Sequence, residues 1–305
     1  MTRKHKLIAI VGPSATGKSN LAVQLAHKIH GEIVSADSRL VYREFNIATA
    51  KPDIKEQQSI KHHLIDVINP DEEYTVANFA DDAKAAIEEI VEKKKIPIVV
   101  GGTGLYFRIL LENFDLPRVP PNKELREKLE KQSEEELYSM LESLDSEIAQ
   151  KIHKNNKVKM IRAIEVAQTL NTPMSIAQKT KENDYDVLWI GLNAKNRDFV
   201  YERINLRVEK MFKDGLWDEA RRLFNKYPNL DLLMNTIGYQ ELKPHFDGLI
   251  TLEEAKENIK QNTRRYAKRQ LSWFRANKQI NWFNIDEMQN EKIINSVLKL
   301  WNAFN

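Results

Sequence analysis

The sequence contains no cysteine in 305 residues, which excludes disulfide bonds, thiolate metal sites and a cysteine nucleophile. It also lacks long hydrophobic runs: no stretch approaches the roughly 20 apolar residues that a membrane-spanning helix needs. The N-terminal residues lead directly into a predicted core strand, so no signal peptide is expected. These absences favour a cytoplasmic protein that has no membrane partner.

The chain has no large excess of charge of either sign. Lysine and arginine number 47 and aspartate and glutamate number 44, for a formal net charge of +3. A surface that binds nucleic acid must therefore be local rather than spread over the whole chain. Hydrophobic residues make up 42% and charged residues 30%, as in a globular protein, and the length favours a core with an inserted domain.

The most informative stretch runs from Gly12 to Ser19 and matches the pattern G-x-x-x-x-G-K-[ST] of a phosphate-binding loop. An apolar run before it predicts a buried parallel strand, and leucines at four-residue spacing after it predict a helix. Glycines let backbone N–H groups surround a phosphate, and the start of a helix adds the positive end of its dipole. Lys18 adds a full charge, and the Ser19 hydroxyl is placed to bind Mg²⁺. This phosphate loop predicts a phosphate or diphosphate ligand without specifying ATP.

Two further predicted strands end in residues that can meet a ligand. The strand over 32–36 ends at Asp37 and Ser38, and the strand over 96–100 ends in Gly101–Gly104, here named the glycine loop. Ligands of open parallel sheets lie at the carboxyl ends of the strands. At such a place Asp37 can bind Mg²⁺, act as a base or cap a turn, and its position alone does not decide among these roles.

Paired histidines, His62 and His63, open a third predicted strand over 62–68. Adjacent residues of a strand point to opposite faces, so both cannot easily bind one metal ion. A structural or hydrogen-bonding role is the favoured interpretation.

The character of the chain changes at residue 116. Three prolines in 116–121 predict an extended linker, and the leucine and isoleucine spacing that follows predicts helices without strands up to residue 177. The segment reads either as a solvated surface domain or, through a basic run over 151–162, as a contact for an anionic partner. A strand over 185–192 then returns the chain to the core.

Cations cluster on two predicted helices after that strand. Arg203 and Arg207 share one face of the first helix, although ion pairs with neighbouring glutamates are a strong alternative. Between Asn258 and Ile285 there are seven basic residues and no acidic one. A helix with such an outer face suits a phosphate backbone, whereas the alternative is a merely basic surface helix.

These patterns predict an α/β fold: a parallel sheet like that of P-loop NTPases, flanked by helices, with an all-helical insertion domain. The predicted divisions are a first core segment (1–115), the insertion (116–184) and a return to the core with basic C-terminal helices (185–305). We expect a monomer.

Taken in order, the motifs resemble those of the tRNA dimethylallyltransferase family, also called tRNA isopentenyltransferases. The resemblance covers nearly the whole chain, although Ala48 stands where the family usually has glycine and Val158 where it often has a basic residue. The matching stretches are Gly12–Ser19, Asp37–Ser38, Val41–Tyr42, Thr49–Pro52, His62–Asp66, Gly101–Tyr106, Ile161–Val166, Ile237–Tyr239 and Thr263–Gln270.

The resemblance implies that a dimethylallyl group moves from dimethylallyl diphosphate to the exocyclic amine of the adenosine just 3′ of a tRNA anticodon. Diphosphate leaves, Mg²⁺ assists at Ser19, and the insertion grips the anticodon stem-loop. It implies catalytic roles for Asp37 as proton acceptor, for Thr103 and for Lys18. The predicted diphosphate-binding residues are Gly12, Pro13, Ser14, Ala15, Thr16, Gly17, Lys18, Ser19 and Arg197. The predicted tRNA-binding residues are Asp37, Ser38, Arg39, Leu40, Thr103, Arg126, Val158, Lys159, Met160, Ile161, Arg162, Arg264, Arg265, Lys268 and Arg269.

Two other classes of protein share parts of this pattern. A small-molecule kinase shares the phosphate loop and the sheet but needs no extended RNA surface. A non-catalytic RNA-binding protein shares the basic helix but needs no intact Lys18, Ser19 and Asp37. Binding of ATP or another nucleotide as a competitor at the phosphate loop is left open.

Overall fold

A computed structural model describes residues 4–112, 114, 117, 119–177 and 184–304. The described residues form two compact units. The first contains those up to Phe107 and from Asp184 onward, and the second contains those from Arg108 to Ala177. The second unit thus begins earlier than the predicted residue 116, inside the helix Gly104–Leu111. Leu116 and Arg118, in the predicted linker, lie outside the described residues.

A parallel six-stranded sheet is the centre of the first unit, and the predicted α/β architecture is confirmed. The strand order is β3-β2-β4-β1-β5-β6, and every neighbouring pair is parallel. The strands are β1 (His5–Val11), β2 (Gly31–Ala36), β3 (His62–His63), β4 (Ile96–Gly101), β5 (Tyr185–Asn193) and β6 (Asn281–Asn284).

Two strands differ from the sequence prediction. The strand predicted over 62–68 covers only two residues, because Leu64 and Asp66 adopt positive φ angles of 64° and 56° that end the extended conformation. Strand β6 was not predicted. It pairs with β5 at the sheet edge and follows directly on the basic helical stretch, where no alternation of apolar and polar residues marks it.

Helices account for most of the remaining structure in both units. None in the described part of the chain is both long and apolar enough to cross a membrane. The helices are α1 (Lys18–Ile29), α2 (Ile54–Gln57), α3 (Val76–Glu92), α4 (Gly104–Leu111), α5 (Lys123–Glu130), α6 (Glu134–Leu144), α7 (Ser146–Lys151), α8 (Lys157–Leu170), α9 (Met174–Ala177), α10 (Arg197–Lys213), α11 (Leu216–Lys226), α12 (Asp231–Met234), α13 (Tyr239–Phe246), α14 (Leu252–Phe274) and α15 (Asn290–Phe304).

Apolar packing fixes the helices on the sheet. Leu21 and Leu25 of α1 are fully buried against β-strand side chains, together with Val297 and Trp301 of α15. Burial of each such leucine contributes about 1.5–3 kcal/mol. The rigid support matters because α1 begins inside the phosphate loop.

The strand order brings three loops to one edge of the sheet. β4 lies between β1 and β2, with Ile10 in register with Val100 and Ala36 in register with Gly101. The phosphate loop, Asp37 and the glycine loop follow the carboxyl ends of these three strands. They therefore lie side by side, as ligand-binding loops of parallel sheets do.

The second unit has its own helical core. Leu137 and Leu141 of α6 are fully buried, as are Met160 and Ile164 of α8. Regular structure within residues 119–177 is helical, as the leucine spacing predicts.

Candidate active site

The phosphate loop is curved by its own side chains and by its close approach to β5. The Thr16 hydroxyl donates to the Pro13 carbonyl at 2.8 Å across the loop. Gly12 has φ 137°, and a Cβ added there would lie 2.2 Å from the Leu192 carbonyl oxygen. Only glycine fits this position, because any side chain would strike the neighbouring strand.

Lys18 is held over this loop in an environment unfavourable for its charge. Its Nζ donates to the Pro13 carbonyl at 2.7 Å. Burial, followed by the nearby positive charge of Arg207, lowers the pKa of Lys18 to about 7, and the Asp37 carboxylate opposes the shift. A bound anion would relieve both penalties, so the loop favours a phosphate ligand.

Arg207 of α10 is a second cation of this site, and the sequence analysis did not assign it there. Burial lowers its pKa, while the charges of Asp37 and Glu56 oppose that change. Among the described residues, none forms a hydrogen bond or ion pair with its guanidinium. A half-buried cation of this kind is stabilised by an anionic ligand.

Arg203, one turn before Arg207, also reaches the phosphate loop. Its Nε donates to the Ala15 carbonyl at 2.7 Å. Arg197, the arginine predicted to bind diphosphate, is exposed as the first residue of α10. The one-turn spacing of Arg203 and Arg207 was the sequence signal that could have placed both arginines at this loop.

Asp37 lies directly after β2 and is half-buried, and a nearby backbone N–H orients its side chain. Its Oδ1 accepts from the Arg39 backbone N–H at 2.9 Å, so it does serve a turn. Burial, followed by Tyr42, raises the pKa of Tyr106, and burial raises the pKa of Tyr266 to about 12; the charge of Asp37 adds to both shifts. The carboxylate is thus close to two phenols and to the cations Lys18 and Arg207.

Gln270 of α14 joins the phosphate loop to the glycine loop, a role that the sequence analysis missed. Its Oε1 accepts from the Ser14 N–H at 2.8 Å and from the Ser14 hydroxyl at 3.1 Å. Its Nε2 donates to the Gly102 carbonyl at 3.0 Å. Gln270 is only 5% exposed, so these bonds lie in a poorly solvated environment and fix the two loops together.

Thr103 continues this network toward Asp37. Its hydroxyl accepts from the Ser38 N–H at 3.1 Å. Tyr266, one turn before Gln270 on α14, lies close to the side chains of Thr103 and Gln270, whose polar groups oppose the rise that burial causes in its pKa. Helix α14 therefore contacts both the phosphate loop and the glycine loop.

The residues that follow Asp37 are partly engaged in contacts within the protein. The Arg39 guanidinium donates to the Ser38 carbonyl at 3.3 Å and to the Asn235 carbonyl at 2.9 Å. Ser38 and Leu40, also predicted to contact tRNA, are half-buried.

The outer face of α14 carries fewer exposed positive charges than its sequence predicts. Lys260 pairs with Glu209 at 2.8 Å and with Glu257 at 2.6 Å. Arg264 donates to the Asn205 side chain at 2.7 Å, which ties α14 to α10. The exposed cations of the helix are Arg265, Lys268 and Arg269, here named the basic stripe.

In the second unit, a buried glutamate holds two of the arginines predicted to bind tRNA. Glu165 is fully buried and accepts from Arg126 Nε at 2.9 Å and Nη2 at 2.7 Å, and Arg162 also donates to it. Although burial opposes the shift, Arg126 and other donors lower the pKa of Glu165 to about 2. Both arginines remain about one-third exposed, with side-chain exposures of 37% and 34%.

The predicted tRNA-binding residues of α8 differ in exposure. The side chains of Met160 and Ile161 are buried in the core of the second unit, because they lie on the inner face of the helix. A contact of these two residues with tRNA would therefore have to use the backbone. Val158 and Lys159, which precede them, are exposed.

The residues of the phosphate loop fit the expected Mg²⁺. The Ser19 hydroxyl is exposed in the first turn of α1. No group of three histidine, aspartate or glutamate side chains suited to a metal occurs among the described residues. Mg²⁺ in phosphate sites keeps waters and substrate phosphates among its ligands, so a small number of protein oxygens, here the Ser19 hydroxyl, is compatible with the expected ion.

His63 has the structural role expected for it. Its Nε2 lies 2.8 Å from Glu32, a buried glutamate of β2 that also accepts from Lys95 at 2.7 Å. The histidine thus anchors the short edge strand.

The sheet, the phosphate loop and the cations around it define an α/β protein of the phosphate-loop class. The family model described as IPP transferase matches residues 40–277, more than half of the chain. This chain therefore belongs to the IPP transferase family.

Curated relatives agree with this assignment. The chain is 45% identical over 294 residues to a tRNA dimethylallyltransferase of Caldanaerobacter subterraneus, with 92% of each chain covered. It is 47% identical over 283 residues to one of Trichormus variabilis, which covers 92% of this chain and 95% of the relative.

Solved structures show the same fold. The tRNA isopentenylpyrophosphate transferase of Bacillus halodurans has a TM-score of 0.75 at 38% identity, covering 99% of this chain and 97% of that one. A eukaryotic dimethylallyltransferase acting on tRNA has a TM-score of 0.81 at 29% identity, covering 92% and 74%.

Proposed function

We propose that this chain transfers the dimethylallyl group of dimethylallyl diphosphate to the exocyclic amine of the adenosine 3′-adjacent to a tRNA anticodon. The observation that carries the proposal is the position of α14. Its inner residues Tyr266 and Gln270 contact the loops of the phosphate site, and the basic stripe lies on its outer face. One helix thus joins a diphosphate site to a surface suited to RNA.

The phosphate loop and its two cations would hold the diphosphate. As the bond between the dimethylallyl carbon and the diphosphate oxygen breaks, negative charge develops on the leaving group. Lys18 is held to the loop by its bond to the Pro13 carbonyl, and Arg207 lies close enough to Lys18 to lower its pKa. Such preorganised charge is often the largest contribution to catalysis. Mg²⁺ at Ser19 would neutralise further charge on the leaving diphosphate.

Asp37 would accept the proton that the adenine amine loses as its nitrogen bonds to the dimethylallyl carbon. The Arg39 N–H orients one carboxylate oxygen. Thr103 lies beside Asp37 through its bond to the Ser38 N–H and is placed to orient the base or the diphosphate. The adenosine must leave its stack to reach this place, which costs a few kcal/mol in a loop.

The basic stripe would hold the RNA backbone, and in the second unit Lys159, Arg126 and Arg162 would make further RNA contacts. Contacts to phosphates position an RNA without reading its sequence. A cytoplasmic location and a monomeric state belong to this proposal, as does competition by nucleotides for the phosphate loop.

The decisive experiment incubates the protein with undermodified tRNA and dimethylallyl diphosphate and analyses the nucleosides by mass spectrometry. A new dimethylallyl-adenosine is the expected result. Transfer of label from the γ-phosphate of ATP to a small acceptor, with no prenylated nucleoside, would instead favour a kinase. RNA binding with neither transfer would favour a binding protein.

The salt dependence of tRNA affinity tests the basic stripe. Replacement of Arg265 by alanine should reduce the slope of log affinity against log salt concentration by about one, because about one phosphate contact is lost. Lys260→Ala on the same helix is the matched control, since Glu209 and Glu257 already pair with Lys260. An unchanged slope in Arg265→Ala would remove the stripe from the interface.

The pH dependence of donor binding tests Lys18. Its pKa of about 7 in the free protein means that it is largely neutral at pH 8. A bound diphosphate favours the protonated amine, so binding above pH 7 takes up about one proton and affinity falls about tenfold per pH unit. Calorimetry at pH 8–9 in buffers of different ionisation enthalpy measures this uptake. The phosphate groups of the donor do not contribute to it, because groups with a second pKa of about 6 are already ionised at this pH. Lys18→Arg should show no uptake; uptake in that variant would assign the proton elsewhere.

A further inference from the structure

Trp273, near the end of α14, is a large aromatic side chain left in contact with solvent. It is 44% exposed, and the other strongly exposed apolar side chains of the described residues are aliphatic or methionine. Tryptophan is enriched where partners bind, because its rigid ring offers a large contact area.

The backbone of the glycine loop holds the indole in place. A Cβ added to Gly104 would lie 2.1 Å from Trp273 Cδ1 and 2.3 Å from its Nε1. The pyrrole edge of the ring therefore lies directly on Gly104, next to Thr103. This contact places the exposed indole at the border of the site that contains Asp37.

Cations flank the indole on the same face of α14. Arg269 lies one turn before Trp273 and Arg265 two turns before it, and both are exposed. The Arg269 guanidinium also lies 5.6 Å from the centre of the Tyr266 ring, so the basic stripe reaches the site. An exposed aromatic ring beside a row of cations is the arrangement by which proteins stack unpaired bases while holding their phosphates.

We propose that Trp273 stacks on an unpaired base that adjoins the adenosine entering the site. This rests on the proposed function, in which that adenosine leaves its stack. Its departure leaves a neighbouring base with one uncovered face, and the indole would cover that face. A contact with the dimethylallyl chain is the competing assignment, but an apolar chain favours a dry pocket over a half-exposed ring beside charges.

The test measures the affinity of full-length variants for an anticodon stem-loop RNA. Trp273→Ala should weaken binding about 5- to 150-fold, the range for loss of one stacked base. Trp273→Phe, which keeps an aromatic face, should bind within about threefold of wild type, whereas Trp273→Leu should resemble the alanine variant. The salt slope and the KM for the donor should not change, because no phosphate contact is removed.

An abasic nucleotide on either side of the target adenosine supplies the second half of the test. For one of the two abasic RNAs, the affinity of wild type should fall to the affinity that Trp273→Ala has for intact RNA. Trp273→Ala should bind this abasic RNA and intact RNA equally well. Leu249→Ala, an exposed apolar residue before α14, is the control and should bind as wild type does.

Three results would overturn the stacking role while wild type still prenylates tRNA. They are unchanged RNA affinity of Trp273→Ala, an effect confined to the KM for the donor, and equal sensitivity of wild type and variant to both abasic RNAs. If wild type itself does not prenylate tRNA, the proposed function is contradicted instead. The RNA-binding measurements test the role of Trp273 independently of prenyl transfer.

Discussion

Asp37→Asn is expected to lower kcat for prenyl transfer by about 10²- to 10⁴-fold, the usual contribution of a general base. Asparagine keeps the shape of the side chain, and its carbonyl oxygen can still accept from the Arg39 N–H, as Asp37 Oδ1 does at 2.9 Å. What it cannot do is take the proton of the adenine amine. Single-turnover assays with saturating donor and tRNA measure this loss directly.

Binding measurements separate this chemical role from a structural one. The affinity of Asp37→Asn for tRNA and its melting temperature should match wild type, because the turn after β2 is preserved. Asp186→Asn, exposed in β5, is the matched control and should turn over normally. Wild-type turnover in Asp37→Asn would leave the carboxylate with only its turn-forming role.

The sequence predicted those parts of the site that local patterns encode. The phosphate loop follows from eight consecutive residues, and the positions of Asp37 and of the glycine loop follow from apolar runs that end abruptly. Parallel pairing of β1, β4 and β2 then brings them together without further information. Long, regular helices such as α3 and α10 were also predictable, since their apolar spacing is local.

Residues that act across long sequence separations could not be predicted in this way. Gln270 and Ser14 lie 256 residues apart, and only the docking of α14 makes the glutamine a link between loops. The same applies to Lys260, whose basic character in the sequence is cancelled by Glu209 of another helix. The burial of Met160 and Ile161 could not be predicted, because a motif does not tell which of its residues face the core.

The Ala48 departure from the family pattern has a local structural counterpart. A Cβ added to Gly238, which has φ 103°, would lie 2.9 Å from the Ala48 Cβ. The methyl group of Ala48 is therefore accommodated by a glycine in the facing turn. The surrounding loop is held by the buried carboxylate of Glu219, which accepts from the Ile47 N–H at 2.9 Å and the Ala48 N–H at 3.1 Å.

Arg207→Met is expected to lower kcat by about 10²- to 10³-fold, the range for loss of one preorganised group that stabilises developing charge. The half-buried Arg207 lies close enough to Lys18 to lower the pKa of that lysine. Its removal should therefore raise the pKa of Lys18 and shift the loss of donor affinity toward higher pH. Calorimetric proton uptake against pH measures this shift, and it gives a readout that simple misfolding would not produce.

Arg197→Met is the matched control for this substitution. Both residues belong to α10, but Arg197 is exposed at its first position, where an isolated charge contributes little. We expect nearly normal kcat and an unchanged pH dependence in Arg197→Met. The opposite ranking of the two variants would assign the diphosphate contact to Arg197, the arginine predicted from the sequence. The comparison thus decides which turn of α10 meets the leaving diphosphate.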